Sequence, residues 1–182
     1  MEKKTSARER WINIGYELFG EDGPEGIQIE RLARILELNK SGFYHYFGTL
    51  DEYLIILMGH HLKTVRYFCT EISKLHNIIP DYINLLMENK MMIMFHVQLS
   101  RNGQKKLFNE TFESGNQLID RQIAPLWSEY LGLENDRGFA IKTYRHIRDV
   151  FNSRVTHKNL TQEFIIEIAD EFKSMLKKIQ AS

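Results

Sequence analysis

IERLARILELNKSGFYHYFGTLDEYL, residues 29–54, decides how the chain is read. Ile29, Leu32, Ala33 and Leu36 recur on one face of a short helix. Asn39 is a good N-cap for a second short helix, in which Phe43, Tyr44 and Phe47 point partly inward. Thr49-Leu50-Asp51-Glu52 has the form of a capping box, a hydroxyl for one orphan amide and a carboxylate for another, and opens a long helix. Two short helices, a tight turn and the start of a third, with aromatics and a lysine crowded on the second, suit a helix that enters a DNA major groove.

Working outward, Ser6-Ala7-Arg8-Glu9 is a second capping box, followed at helical spacing by Trp11, Ile14, Leu18 and Phe19. Gly20 to Gly26, with Pro24, should end that helix in a loop. Beyond residue 54, Leu57, Leu62, Val65, Phe68, Ile72 and Leu75 continue the long helix. Pro80 suits the first turn of a fifth. Residues 82–99 are apolar on nearly every side and read as one buried helix. Residues 104–131 hold one or two helices disturbed at Pro125, 132–138 a loop, and 139–155 another helix. The last helix carries the cleanest stripe: Phe164, Ile165, Ile168, Phe172, Met175, Leu176 and Ile179. No strand-like alternation or repeat stands out, so an all-α fold is expected.

The 182 residues are 43% hydrophobic, enough for a sizeable core, and contain only three prolines. Net charge is zero, and residues 1–50 carry seven Lys/Arg against eight Asp/Glu, a net of −1. Any electrostatic footprint for nucleic acid is therefore local. The single cysteine, Cys69, excludes an internal disulfide framework and suits a reducing compartment. No apolar run reaches membrane-spanning length and MEKKTSARER is no signal peptide, so a soluble cytoplasmic protein with no membrane partner is expected. His60 and His61 adjoin while His76, His96, His146 and His157 are scattered, without metal-ligand spacing. No phosphate-binding loop, dinucleotide glycine pattern or nucleophile elbow occurs. Neither metal, cofactor nor enzymatic activity is expected.

The ordered set Leu18-Phe19, Gly23, Leu32-Ala33, Leu38-Asn39, Phe43-Tyr44-His45-Tyr46-Phe47 and Thr49 resembles the N-terminal pattern of the TetR family of transcriptional regulators. The match covers about residues 7–54; the remainder is similar only in helix count and length. The resemblance implies an N-terminal three-helix helix-turn-helix DNA-binding domain, residues 1–50, and a C-terminal helical ligand-binding and dimerisation domain, residues 51–182, about nine helices in all. Three features of the pattern are missing. Ile27 and Gln28 stand where a phosphate-binding Ser or Thr often begins the second helix, Glu37 replaces the turn glycine, and Leu50 replaces a phosphate-binding lysine.

The resemblance assigns DNA contact to Lys40, Ser41 and Gly42, which start the recognition helix, and to Tyr44, His45, Gln28, Thr49 and Lys4. Lysine can donate to guanine O6 and N7. Gly42 either permits close backbone approach or relieves packing. Lys3, Arg8 and Arg10 are further candidate phosphate contacts. Met91, Met94, Phe95, Phe108, Phe112, Trp127 and Phe151 either line a cavity for a small apolar or amphipathic effector or are plain core. Phe164, Ile165, Ile168, Phe172, Met175 and Ile179 would form a homodimer interface, the last two helices of each subunit packing as four.

The function expected is that of a ligand-responsive regulator, a repressor, binding a pseudo-palindromic double-stranded DNA operator as a homodimer with half-sites roughly 34–36 Å apart. Effector binding would tilt the fourth helix and spoil that spacing. The alternative is a TetR-like interaction or ligand-binding module whose DNA binding is weak or lost, in keeping with Ile27, Glu37, Leu50 and the neutral head.

Overall fold

The structure, a computed structural model, describes residues 6–180, apart from the side chains of Lys177, Ile179 and Gln180. Among the described residues the α-helices are α1 Ala7–Asp22, α2 Ile29–Leu36, α3 Lys40–Phe47, α4 Leu50–Ile72, α5 Ile83–Glu88, α6 Lys90–Arg101, α7 Lys106–Leu131, α8 Arg137–Arg154 and α9 Gln162–Gln180. The all-α expectation holds, as does the expected number of helices.

Local chemistry sets most of the helix ends. The Ser6 hydroxyl accepts from the Glu9 amide at 3.2 Å and the Glu9 carboxylate from the Ser6 amide at 2.8 Å, closing the first capping box. Thr49 and Glu52 repeat it at the start of α4, at 3.2 and 3.0 Å. Asn39 is the N-cap of α3 in extended backbone, but its side chain makes no capping bond, contrary to expectation. Its carbonyl instead accepts from the Gly42 amide at 3.0 Å.

Other boundaries move. α1 runs through Gly20 and stops at Gly23, whose φ of 68° only glycine adopts freely. The single helix expected over residues 82–99 is two, because Asn89 leaves helical geometry and turns its side-chain amide onto the Leu85 carbonyl at 2.8 Å. Pro80 precedes α5 rather than opening it. Ile79 before it is extended (φ −119°, ψ 116°), as a residue ahead of proline prefers. α7 passes through Pro125 as one helix.

The chain packs as two compact units, Met1–Thr64 with Met91–Ser114, and Val65–Lys90 with Gly115–Ser182. These units of packing cut across the functional division expected at residue 50. In the first unit Trp11, Phe19, Leu32, Phe43, Tyr53, Leu57, Phe95 and Phe108 are fully buried. The Trp11 ring meets the Phe43 ring edge-on at 5.4 Å, and Phe43 lies 5.0 Å from Tyr53. The Tyr53 hydroxyl donates to the Trp11 carbonyl at 2.7 Å. Gly15 makes room for that hydroxyl, since a Cβ there would lie 1.7 Å from it. A glycine inside a helix costs about 1 kcal/mol relative to alanine, a cost that the contact offsets.

A buried polar chain crosses the same unit. Tyr16 of α1 and Nδ1 of His61 on α4 share a hydrogen bond of 2.8 Å, and Nε2 of His61 meets Nδ1 of His96 on α6 at 3.1 Å. A neutral imidazole has one donor and one acceptor, so a chain of this kind can be satisfied link by link. His61 is 0% exposed, and its ring stacks on Phe95 at 4.5 Å.

The second unit has an apolar core that includes Val65, Phe68, Ile72, Ile123, Trp127, Ala140 and Val155. Several of its buried polar groups are paired across helices. The Asp120 carboxylate accepts from Nε of Arg145 at 2.8 Å and Nη1 of Arg148 at 2.6 Å. Trp127 donates to the Thr143 hydroxyl at 3.0 Å, and the hydroxyls of Tyr82 and Tyr144 lie 3.0 Å apart. α9 packs on α5 and α8. No helix among the described residues is long and apolar enough to cross a membrane.

Burial, then the neighbouring His96 and His60, hold the His61 imidazole well below its usual range, so the folded protein keeps it neutral. The unfolded chain takes up that proton near the ordinary value of about 6.5, so stability is full above this pH and falls as the pH drops below it. Urea unfolding should show the wild type losing up to about 1.4 kcal/mol per pH unit between pH ~6 and ~5 from this group. His61→Gln should flatten that slope, and equal slopes would show that the burial of His61 is not what titrates.

Candidate nucleic-acid interface

α2 and α3 are joined by a turn with complete backbone bonding. The Leu38 amide donates to the Ala33 carbonyl at 3.0 Å and the Glu37 amide to the Arg34 carbonyl at 3.3 Å. That is a Schellman motif, whose left-handed position normally holds glycine. Glu37 occupies it here, at φ 55° and ψ 42°. The motif needs a positive φ at this point, and a side chain there is adopted at some cost.

α3 has an anchored face and a presented face. Phe43 and Phe47 are buried against Trp11 and Tyr53. Lys40, Ser41, Tyr44 and His45 are exposed, Tyr44 at 52%, so the expectation that it points partly inward is not met. Lys40 with Tyr44, and Ser41 with His45, are four residues apart and so share a side of the helix. Gly42 lies between them with open space where a Cβ would stand. It relieves no packing contact among the described residues, and the backbone there is open to close approach.

The cations around this face are largely engaged. Lys40 Nζ pairs with Glu30 Oε1 of α2 at 2.9 Å. That contact pulls the Glu30 carboxyl down and pushes the Lys40 ammonium up from their ordinary values, though both groups are exposed. Arg31 pairs with Asp22, the Arg10 guanidinium donates to the Leu36 carbonyl at 2.9 Å, and Arg8 lies over the Phe47 ring at 5.6 Å. Arg34 is exposed and makes no ion pair among the described residues.

The remaining expected contacts fall around this face or outside the description. Gln28 is exposed and its amide donates to the Glu25 carbonyl at 3.1 Å. Thr49 is exposed, with its hydroxyl engaged in the capping box. Lys4, like Lys3, lies outside the described residues. Arg34 and the exposed Tyr46 were not singled out from the sequence. The inward positions Leu32, Ala33 and Leu36 leave Arg34 on the outer side of α2, and that periodicity could have marked it.

The seven residues expected to line an effector cavity divide between the units. Met91, Met94, Phe95, Phe108 and Phe112 belong to the first, and Trp127 and Phe151 to the second. Phe95 stacks on Tyr16 and on Phe19, each at 4.3 Å, and Phe108 meets Phe19 edge-on at 5.3 Å, so this pair fills core. In the second unit a cavity of about 150 Å³ is lined by His76, Ile78, Ile79, Leu126, Glu129 and Tyr130. The Tyr130 ring lies 5.5 Å from that of Trp127.

Helices alone among the described residues, a short helix-turn-helix held on α1 and α4, and a helical remainder define an all-α fold with an N-terminal helix-turn-helix domain and a C-terminal helical domain. A solved structure of a TetR/AcrR family transcriptional regulator from Aquifex aeolicus VF5 has the same fold. It superposes with a TM-score of 0.62 over 96% of this chain and 99% of that one, at 17% sequence identity. No protein-family model and no curated protein matches the sequence.

Glu37 gives a direct test of the turn. Glu37→Gly should stabilise the chain by roughly 0.5–1 kcal/mol, by removing a side chain from a left-handed backbone. For a protein of this size that is a rise of about 2 °C in Tm. An unchanged or lower Tm would mean that the carboxylate itself contributes to stability.

Proposed function

We propose that the chain is a ligand-responsive transcriptional regulator, a repressor, that binds a pseudo-palindromic operator as a homodimer from the cytoplasm. The observation that carries this reading is the outer face of α3, where Lys40, Ser41, Tyr44 and His45 stand exposed while Phe43 and Phe47 hold the helix in place. Helix-turn-helix proteins dock such a helix in the major groove by its N-terminal residues. The fold shared with a TetR/AcrR regulator supports the same reading. The DNA-reading part then ends near residue 50, and residues 51–182 serve effector binding and dimerisation.

The homodimer is drawn through α9. Its inner edge, Ile168 at 5% exposure and Leu176, is already covered by its own chain. Its outer edge keeps Met175 at 51% exposure, with Phe164, Ile165 and Phe172 half-buried. Ile179 lies outside the described side chains. Phe164, Ile165, Phe172 and Met175 are thus the residues available to a second copy. We place the effector in the second unit, near Trp127 and Phe151. Residues 65–72 of α4 belong to that unit while residues 50–64 belong to the first, so α4 is the element through which occupancy would alter the spacing of the two heads. The effector must bind the released form more tightly than the operator-bound form, or it shifts nothing.

A second reading keeps the fold and gives up strong DNA binding. The engaged state of Lys40, Arg8, Arg10 and Arg31, and the Glu37 carboxylate in the turn, favour it. The salt dependence of binding separates the two, since each phosphate contact adds about 0.9 to the slope of log K against log salt.

Nuclease protection on the DNA flanking its own gene should reveal one palindromic footprint with half-sites about one helical turn apart. Salt-steep binding to that site supports the regulator, and no protection with flat binding supports the second reading. For the dimer, substituting an exposed residue avoids confusing association with folding. Met175→Glu should sediment as a monomer with an unchanged helical spectrum, and a variant that stays dimeric removes α9 from the interface.

A further inference from the structure

Lys40 is the cation that opens the presented face of α3, and it is held by a carboxylate of the neighbouring helix. Glu30 Oε1 lies 2.9 Å from Lys40 Nζ, in an exposed pair. Resting on the DNA-binding reading above, we infer that Glu30 is a positioning residue that sets the affinity and salt dependence of the head by competing with DNA for Lys40.

The competition follows from charge. A free lysine that meets a phosphate releases the counterion condensed there, which steepens the salt dependence. Where Lys40 leaves Glu30 to meet a phosphate, the abandoned carboxylate collects a cation from solution. That uptake cancels part of the counterion release. The wild type therefore binds more weakly and with a shallower salt slope than a chain in which Glu30 carries no charge. An exposed pair of this kind competes modestly, by a factor of about 2 to 5.

Two other charged groups belong to the same helix and its turn. Arg34 is four residues along α2, the spacing at which a glutamate and a following arginine can pair, yet it stays exposed without an ion pair. Glu37 lies in the turn between the two helices and carries the same sign as Glu30. A carboxylate acting only through its own repulsion of DNA would behave alike whether or not Lys40 is present. Glu30 acting through Lys40 would not.

A double-mutant cycle on the full chain separates these cases. Wild type, Glu30→Gln, Lys40→Met and the double variant are titrated by fluorescence anisotropy onto a labelled duplex of about 40 base pairs, long enough for two half-sites a turn apart. The probes are a random-sequence duplex and the nuclease-protected site, each over a series of salt concentrations. Glu30→Gln should tighten binding by about 2- to 5-fold and steepen the salt slope by up to about one. Both gains should vanish in the Lys40→Met background. Equal gains in both backgrounds would overturn the inference, leaving Glu30 a bystander charge. So would weaker binding of Glu30→Gln accompanied by a lower Tm, the mark of a purely structural tie. If wild type binds and Lys40→Met binds equally well, the inference fails while DNA binding stands. If neither probe is bound by the wild type or by Glu30→Gln at any salt, the regulator reading falls and takes the inference with it.

Discussion

The contact on which the presented face depends is the hydrophobic anchoring of α3 by Phe43 and Phe47 against Trp11 and Tyr53. α3 is eight residues long and contains a glycine. An isolated helix shorter than about 12–15 residues is marginal in water, and the glycine costs about 1 kcal/mol more. Burial decides the matter, because removing a buried Phe ring typically costs about 3–5 kcal/mol. The same packing leaves Nε1 of Trp11 buried with no hydrogen-bond partner. An orphan donor costs about 1–3 kcal/mol, which the indole's own burial outweighs. Once Phe43 and Phe47 are fixed inward, helical periodicity turns Lys40, Ser41, Tyr44 and His45 outward without further instruction.

This anchoring is also why that part of the site could be read from the sequence. Both capping boxes were legible because they are local, with each partner three residues away. The aromatic run was legible because its inward residues repeat at helical spacing. Features that rest on distant partners were not. Nothing in the sequence marks Glu30 as the companion of Lys40, since the two lie on different helices and meet only after the turn folds. The break at Asn89 was hidden for a related reason: apolar residues continue on both sides of it, and hydrophobic periodicity does not register a side chain that takes over a backbone carbonyl. Asn39 errs in the other direction. Its type is right for a cap, and the cap bond is still not made, because residue preference states what a side chain can do rather than what the turn around it requires.

The electrostatics of the head follow from the same economy of partners. A neutral head can still read DNA if its few cations are aimed, but most here have intramolecular roles that contribute to folding. Arg10 satisfies a carbonyl at the end of α2, Arg31 holds Asp22, and Arg8 covers an aromatic ring. Such a surface has little to offer a random phosphate backbone. Sequence-independent affinity is mainly phosphate neutralisation, so its reduction leaves discrimination to the base edges. Under the DNA-binding reading proposed above, a weak background and a short exposed face on α3 would work in the same direction, towards selectivity at the expense of total affinity.

The buried groups of the two units differ in a way that bears on coupling. In the first unit Tyr16, His61 and His96 tie α1, α4 and α6 by hydrogen bonds in an aromatic surround. In the second, Asp120 holds Arg145 and Arg148, and Tyr82 meets Tyr144. Hydrogen bonds and ion pairs are directional, so helices tied this way cannot slide by small amounts as apolar faces can; they keep one register or exchange partners. Of the methionines and aromatics weighed as cavity lining or plain core, Phe95 and Phe108 are buried core. Directional polar groups, which exchange whole partners, are better suited to two discrete arrangements than packed rings are. A ligand acting on the second unit would gain most by offering Arg148 or Tyr144 an alternative partner, because a change of partner, unlike a swelling of the core, moves a helix from one defined position to another.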